Sequence, residues 1–391
     1  MFGKLRSGLG AALLLTMSMT AAGAQTGGDT INIGFTGPLS GGAAAYGGDT
    51  QRGLQMAIDE INDGGGITVA GKKMHFKLVS LDDQYRPPEA ATNAKRLVQE
   101  SGTPIVFCPH SGGILAIQGF NEKQSPKFIL GAYSSEPAIL RQNNGLTVMI
   151  PPAYDEYFKP YIANLMPRFG KKLGLLATTT AYGDAWAKSF SAAWTAAGGT
   201  VLANSGVDYN TTADFSGAVT KALSEKPDVL LVGGPSQPTG LVIKAARAQG
   251  FKGGFAMMDQ AKFDQVLTVV PLSDLEGVMG VNPFKSFTGP GLATFLAAYE
   301  KKYGALKRDA NSELAFNYEA MHLFAEAIKL ANSTDPVAIM AKVHAAGAGL
   351  PAKYQPGALS GMTKAGHLKI QGDAAIVDKG KFRKVALPFT E

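Results

Sequence analysis

The stretch that decides the fold runs from Ile31 to Ile67 and reads INIGFTGPLSGGAAAYGGDTQRGLQMAIDEINDGGGI. Its first residues, 31–35, form a short apolar run that predicts a buried strand. Residues 37–48 then predict a glycine-rich loop, and a helix follows, with apolar residues at helical spacing up to Ile61. The loop therefore follows the carboxyl end of a strand, which is where open α/β sheets bind ligands.

The amino terminus predicts a targeting segment. Lys4 and Arg6 precede a short apolar run, and residues 22–24 read Ala-Gly-Ala, a small-residue cleavage site. We expect residues 1–24 to be a signal peptide that is removed on export to a bacterial periplasm. No cysteine follows the apolar run, which disfavours a lipid anchor.

Composition limits the classes of protein that the chain can belong to. Hydrophobic residues make up 45% of the 391 residues, which is typical of a globular protein with sizeable cores. The formal charge is +6, and basic residues are spread along the chain, so no nucleic-acid-binding face is expected. The single cysteine, Cys108, excludes an internal disulfide, and it lies in an apolar run that predicts a buried thiol.

The order of predicted elements indicates parallel sheets. In the first part of the chain, predicted strands at residues 74–81, 104–108 and 127–130 are each followed by a polar loop and a helix. The same order restarts after Pro151 and Pro152, with strands that begin at residues 172, 199, 228 and 254. Two successive α/β sets of similar size predict two lobes.

The last part of the chain departs from this order. Residues 290–303 and 314–331 predict long amphipathic helices, with no parallel strand between them. Residues 367–370, 374–377 and 384–387 predict short antiparallel strands. These pieces are too few for a third domain, so we expect them to complete the two lobes.

Several enzymatic and metal-binding motifs are absent or incomplete. Residues 66–72 resemble a phosphate-binding loop, but Lys73 stands where that motif needs a serine or threonine. The five histidines show no metal-ligand spacing, so neither a metal nor a cofactor is expected. A hydrolase built on His110 and Ser111 with Asp82 or Asp83 is a weaker alternative, because no nucleophile-elbow motif surrounds Ser111.

Polar and aromatic residues at strand ends predict a binding site instead. Hydroxyl groups at the start of a helix can cap it, or can bind an anion together with the free amides of its first turn. The loops of the first lobe open at one sheet edge, where a carboxylate would be well bound. They offer Tyr46, Ser111, Gly112, Tyr133, Ser134 and Ser135.

The second lobe offers different chemistry at the corresponding edge. Tyr182 and Pro235 supply aromatic and apolar surface after two of its strands. Asp259 follows another strand, where it is either an ordinary loop carboxylate or the partner of a ligand cation.

Several of these motifs together resemble the periplasmic leucine/isoleucine/valine-binding protein family, the substrate-binding proteins of branched-chain amino acid ABC transporters. The specific match is the opening motif, and weaker matches follow in the family's order along nearly the whole chain. The matching residues are Gly37-Pro38-Leu39-Ser40-Gly41, Tyr46-Gly47, Ile58-Asp59-Glu60-Ile61-Asn62, Gly64-Gly65-Gly66-Ile67, Asp82-Asp83, the helix over 90–98, Tyr182-Gly183, Asp214-Phe215, Pro227-Asp228 and Gly250.

The resemblance implies an α/β fold of two Rossmann-like lobes, each a parallel sheet flanked by helices, joined by a three-strand hinge. It implies that residues 25–150 and 282–355 form the first lobe. Residues 151–281 and 356–391 would form the second lobe.

The resemblance also implies roles for individual residues. Ser111 and the segment from Tyr133 to Ser135 would hold the α-carboxylate of a ligand, and Tyr46 and Tyr182 would cover it. An acid near Asp259 would meet the α-ammonium group.

The chain departs from the family at three places near this site. Pro235-Ser236-Gln237 stands where the family often has an aromatic pair, Gly112-Gly113 replaces a run of hydroxyls, and Tyr133 replaces a small residue. Members of the family also bind amides, urea and aromatic acids, so the sequence leaves the solute open.

We therefore predict a periplasmic solute-binding protein that is not an enzyme. It would bind an amino acid or another small acid or amide between two closing lobes and deliver it to an inner-membrane ABC permease. A ligand sensor with the same fold is the alternative. We expect a monomer.

Overall fold

The computed structural model describes residues 30–388, so the predicted signal peptide at residues 1–24 lies outside the described residues. Two sheets flanked by helices organise the described chain. None of the helices within residues 30–388 is long and apolar enough to cross a membrane.

The first sheet has six strands, all drawn from the first part of the chain. Their order is β2-β3-β1-β4-β5-β6, and all neighbours are parallel except the β2–β3 hairpin. The strands are β1 (Thr30–Gly37), β2 (Ile67–Val69), β3 (Lys72–Asp82), β4 (Ile105–Cys108), β5 (Ile129–Ala132) and β6 (Thr147–Met149).

The second sheet has seven strands in the order β13-β12-β11-β10-β9-β7-β8. Strands β7 to β11 are parallel, while β12 and β13 run antiparallel at one edge. The strands are β7 (Lys172–Ala177), β8 (Thr200–Asn204), β9 (Val229–Gly233), β10 (Gly254–Met257), β11 (Val278–Val281), β12 (Asp373–Asp378) and β13 (Lys381–Ala386).

Helices flank both sheets, so each lobe consists of a sheet with helices packed against it. We call the first sheet with its flanking helices the first lobe, and the second sheet with its helices the second lobe. The helices are α1 (Ala44–Asp63), α2 (Pro87–Ser101), α3 (Ser111–Gln118), α4 (Ala138–Arg141), α5 (Phe158–Phe169), α6 (Ala181–Ala196), α7 (Ser216–Ser224), α8 (Ser236–Ala248), α9 (Phe263–Val266), α10 (Leu292–Tyr303), α11 (Ser312–Ala331) and α12 (Pro336–Ala348).

Two of the sequence-based boundaries are wrong. The predicted loop over 37–48 ends early, because α1 already begins at Ala44. Gly47 lies inside this helix, where a Cβ atom would lie 1.8 Å from the carbonyl oxygen of Pro38, so only glycine allows this close packing. Residues 367–370 form no strand; His367 makes only an isolated bridge to Met149.

Helix α11 is more deeply buried than an amphipathic pattern predicts. Sixteen of its twenty residues are buried, because it packs between α1 and α12 and its first residues reach the space between the lobes. Several of its buried polar groups are hydrogen-bonded. The carboxylate of Glu319, for example, accepts hydrogen bonds from the backbone N–H groups of Gly357 and Leu359, each at 2.9 Å. Helix α11 thereby fixes the return of the chain after α12.

Buried carboxyl groups should make the protein less stable as the pH rises. Burial raises the pKa of Glu319 from its ordinary value of 4.5 to about 8, and that of Asp264 from 3.8 to about 7. Between the unfolded and folded pKa values the folded state holds the extra proton, so raising the pH disfavours folding. Each such group contributes at most about 1.4 kcal/mol per pH unit.

We expect Glu319→Gln to flatten the dependence of the unfolding free energy on pH between about 4.5 and 8. Urea unfolding at a series of pH values measures this slope. Glu326→Gln, on the same helix but partly exposed, is the control and should leave the slope unchanged. An equal slope in wild type and Glu319→Gln would contradict the prediction.

Candidate functional site

A cleft between the two lobes brings most of the predicted site residues together. It encloses about 510 Å³ of empty volume, part of it open to solvent. Of the predicted residues, those that line it are Tyr46, Ser111, Tyr133, Ser134, Ser135, Tyr182 and Asp259.

The first lobe contributes hydroxyl groups at the carboxyl ends of its strands. Ser111, the first residue of α3, has its Oγ 2.7 Å from the Oγ of Ser134, which follows β5. Ser135 Oγ lies 3.3 Å from the hydroxyl oxygen of Tyr182 in the second lobe. All three serines are buried, so this corner of the cleft offers hydroxyl groups in a setting that largely excludes water.

The second lobe contributes a carboxylate held by aromatic donors. Tyr182 donates its hydroxyl hydrogen to Asp259 Oδ1, and the indole N–H of Trp186 donates to the same oxygen at 3.0 Å. Burial and the nearby Asp259 carboxylate raise the pKa of Tyr182 well above its usual value, so the phenol keeps its proton. Within residues 30–388, both hydrogen bonds to the Asp259 side chain go to Oδ1, and none goes to Oδ2.

Tyr46 and Tyr133 form part of the cleft wall on the first-lobe side. Tyr46 lies in the first turn of α1 rather than in a loop, and its hydroxyl donates to the carbonyl oxygen of Pro109. The rings of Tyr46 and Tyr133 lie 6.4 Å apart, and both are buried. Because its hydroxyl is hydrogen-bonded to the backbone of its own lobe, the Tyr46 side chain has a fixed position in the cleft wall.

Gly112 and Pro235 lie outside the central cleft. Gly112 lines a neighbouring cavity that shares Tyr85, His110, Ser111 and Tyr182 with the cleft, and a Cβ atom on Gly112 would lie 2.7 Å from Pro87. Pro235 precedes α8 and lines a separate small cavity with Tyr46 and Glu313. These two predicted residues are therefore neighbours of the cleft and do not line it.

A buried pair behind the serines orders the loops of the first lobe. His110 Nε2 lies 3.0 Å from Asp83 Oδ2, and both side chains are buried. His110 Nδ1 accepts a hydrogen bond from the N–H of Gly113, so Nε2 carries the ring proton and donates it to Asp83. The ring of Tyr85 stacks on His110 with centroids 4.7 Å apart.

This pair does not have the geometry of a hydrolase. Both ring nitrogens of His110 are engaged, by Asp83 and by the amide of Gly113, and neither serves Ser111 as a general base. The hydroxyl of Ser111 instead meets Ser134. Asp83, Cys108 and His110 are three potential metal ligands whose ligand atoms lie within 4.8 Å of one another, and the same bonds occupy Asp83 and His110. Cys108 is buried and unpaired, as the sequence predicts.

Direct contacts join the two lobes around the cleft. The N–H of Gly42 donates to the carbonyl oxygen of Asn210 at 3.1 Å. Lys262 of the second lobe lies 3.5 Å from Glu313 at the start of α11, and both side chains are buried. Burial raises the pKa of Glu313 to about 8 despite the nearby lysine. These contacts describe a closed arrangement of the lobes.

Sequence reasoning missed several residues that line the cleft. Tyr85 lies in a turn in which both Gln84 and Tyr85 have positive φ. The sequence contains no glycine or asparagine there that would have indicated such a turn. Phe287, Ser312, Phe316 and Gly372 lie far along the chain from the predicted site residues. The missed residues are Tyr85, Pro109, His110, Pro151, Pro152, Tyr157, Gln260, Lys262, Val281, Phe287, Ser312, Phe316 and Gly372. Of these, Gln260 follows the same predicted strand as Asp259, and His110 was considered only in the hydrolase alternative.

Comparisons with known proteins identify the class of protein that this fold and cleft define. Residues 30–377 match a family described as periplasmic binding protein. The chain belongs to this family, so it is an exported periplasmic binding protein and not an enzyme. The resemblance seen in the sequence is thereby confirmed.

Particular relatives support this assignment. The Leu/Ile/Val-binding protein homolog 8 of Brucella suis biovar 1 (strain 1330) is 26% identical over 362 residues, which cover 86% of this chain and 85% of the relative. The structure of the leucine binding protein LivK from Thermotoga maritima MSB8 matches with a TM-score of 0.74 and 22% identity, and covers 91% of this chain and 98% of its own.

A second structure matches equally well. It is the branched-chain amino acid transporter substrate binding protein LivJ from Streptococcus pneumoniae str. Canada MDR_19A in complex with isoleucine. Its TM-score is 0.74 at 22% identity, and the match covers 92% of this chain and 99% of LivJ. At this identity the two structures establish the shared fold.

The contact between Gly42 and Asn210 predicts a variant that opens the cleft without unfolding the lobes. A Cβ atom on Gly42 would lie 2.8 Å from the carbonyl oxygens of both Tyr209 and Asn210, across the cleft. Such overpacking costs about 1–3 kcal/mol, and the lobes can avoid it by separating. We expect Gly42→Ala to raise the radius of gyration in small-angle X-ray scattering.

The control is Gly217→Ala, because no atom lies within 4 Å of a Cβ atom added there. The unfolding free energy of Gly42→Ala should stay within about 1 kcal/mol of the wild-type value, since neither lobe loses an internal contact. An unchanged scattering curve for Gly42→Ala would show that these loops do not meet in solution.

Proposed function

We propose that the protein is the solute-binding component of an ABC importer and that it binds a small carboxylate-bearing solute, an amino acid or a related acid, between its lobes. The observation that carries this proposal is the composition of the cleft. Serine hydroxyls of the first lobe face a cleft whose other wall holds the carboxylate of Asp259. A solute bound there would contact both lobes and stabilise the closed form.

The serine corner suits a carboxylate. Ser111 is the first residue of α3, and the first-turn amides of a helix favour a negative charge. The hydroxyls of Ser111, Ser134 and Ser135 add donors close to that helix end. Bonds to a charged acceptor in a buried site are stronger than neutral ones, which supports an anion at this corner.

The nature of the opposite end of the solute depends on Asp259. An ammonium group would pair with the unoccupied Oδ2 of Asp259 through a charge-assisted hydrogen bond. Isoleucine, the ligand named for LivJ, carries such a group. A simple aromatic acid would instead rely on the tyrosine walls and leave Oδ2 of Asp259 without a hydrogen-bond donor, although Tyr182 and Trp186 would still donate to Oδ1.

The division into lobes belongs to the same proposal, with residues 25–150 and 282–355 in the first lobe and residues 151–281 and 356–391 in the second. The packing of α11 against α1 supports the return of the chain to the first lobe. The pairing of β12 with β11 supports the assignment of the last part of the chain to the second lobe. Three crossings would then form the hinge.

We expect Asp259→Asn to separate the two classes of solute. The amide keeps the shape of the carboxylate but loses its charge, so an amino acid should bind roughly 10- to 100-fold more weakly, whereas a simple acid should lose little. Isothermal titration with L-leucine, L-phenylalanine and 3-phenylpropanoate measures both. Asp184→Asn, an exposed carboxylate in the first turn of α6, is the control. Equal losses of affinity for amino acids and simple acids would contradict the role given to Asp259.

Import can be tested separately from binding. We expect deletion of the gene to abolish high-affinity uptake of the radiolabelled solute, and the wild-type gene to restore it, because a closed solute-loaded form is what a permease would recognise. A sensor would instead leave uptake intact and change a transcriptional or motility response. Normal uptake in the deletion strain would therefore favour the sensor over the importer.

A further inference from the structure

Gln260 is a buried polar residue in the cleft with one partner missing. Its Nε2 donates a hydrogen bond to the hydroxyl oxygen of Tyr85 at 3.0 Å. Its Oε1 is fully buried and, within the described chain, accepts no hydrogen bond. The residue is only 5% exposed and lines the cleft. A buried acceptor without a donor is unfavourable, so such an atom normally has a ligand or water as its partner.

The position of Gln260 connects the two lobes through the cleft. It follows Asp259 at the carboxyl end of β10 in the second lobe, whereas Tyr85 belongs to the first lobe. Tyr85 is itself held in place, because its N–H donates to Asp83 Oδ1 at 2.9 Å and its ring stacks on His110. The amide of Gln260 therefore has one end on a rigid feature of the opposite lobe, while its other end, Oε1, is buried without a donor in a residue that lines the cleft.

We infer that Gln260 is a specificity-determining residue that accepts a hydrogen bond from an N–H group of the solute through Oε1 while its Nε2 holds Tyr85 across the closed cleft. This inference rests on the proposed function. The preferred solute is one that presents an N–H donor to the second lobe, close enough for Gln260 and Asp259 to share its hydrogens. A solute with a carbonyl oxygen or a carbon atom at that place would leave Oε1 buried without a donor.

The role differs from that of a residue that only closes the lobes. A closing contact stabilises the closed form for every solute, so its loss weakens all ligands by the same factor. An acceptor for the solute weakens only those ligands that carry the donor. The ratio of affinities between two solutes that differ only in the amino group therefore separates the two roles.

The test uses matched pairs of probes: L-leucine with 4-methylpentanoate, L-phenylalanine with 3-phenylpropanoate, and L-glutamate with glutarate. Isothermal titration gives the dissociation constant of each probe for wild type, Gln260→Met, Gln260→Glu and Tyr85→Phe. The methionine variant removes the acceptor at similar length, the glutamate variant keeps an acceptor, and the Tyr85 variant removes only the bond between the lobes. Circular dichroism checks that each variant is folded.

We expect wild type to prefer the amino member of the pair that it binds, and Gln260→Met to lower that preference at least about tenfold, as the loss of a hydrogen bond to a charged donor implies. Gln260→Glu should keep the preference. Tyr85→Phe should weaken both members of the pair equally. The preference for the amino member that remains in Gln260→Met measures the contribution of Asp259 to recognition of the amino group.

Two outcomes would overturn the inference while leaving the proposed function intact. One is equal wild-type affinity for the two members of a pair that binds. The other is an amino preference in Gln260→Met as large as in wild type, which would make Gln260 a closing contact alone. Wild-type protein that binds neither member of any pair would instead overturn the proposed function, and the inference with it.

Discussion

The hydrogen bond between Asp83 and His110 is the constraint on which the first-lobe side of the cleft depends. Asp83 is fully buried and accepts from the hydroxyl of Thr36, the amide of Tyr85 and the ring of His110. These donors lie at the ends of β1, β3 and β4, so one carboxylate joins three neighbouring strand ends. Removing a donor would leave buried charge poorly compensated, which keeps the network intact. The positions of Ser111 and the Tyr85 ring follow from it.

The second lobe solves a comparable problem with different groups. Its cleft carboxylate, Asp259, is held by a phenol and an indole, and one of its oxygens stays unoccupied. The buried carboxylate of the first lobe is thus used for internal order, and under the proposed function that of the second lobe would also bind the ligand. Because the two lobes meet through polar contacts such as Lys262 with Glu313, closure exchanges solvated polar groups for paired ones. Under the proposed function, a solute that contacts both lobes would shift the equilibrium toward the closed form.

The sequence predicts the fold well where local signals agree. Strand, loop and helix alternate with clear stop signals, and residues directly after predicted strands, such as Ser111 and Asp259, line the cleft. The misses have physical causes. Helix α1 begins within a glycine-rich run, because close packing on Pro38 overrides the low helix propensity of Gly47. Strand β6 is only three residues long, too short for a periodic signal. Tyr85 reaches the cleft because Gln84 and Tyr85 both have positive φ, a conformation that these residue types do not predict.

The two tryptophans of the chain have contrasting surroundings on one helix. Trp186 donates its indole N–H to the cleft carboxylate, whereas Trp194, about two turns further along α6, donates to the backbone carbonyl of Lys171. A cation that arrives at Asp259 changes the electric field at the first indole and hardly reaches the second. If Asp259 binds the ammonium group of the solute as proposed, the protein contains its own optical reporter of cleft occupancy, with a built-in reference fluorophore in the same lobe.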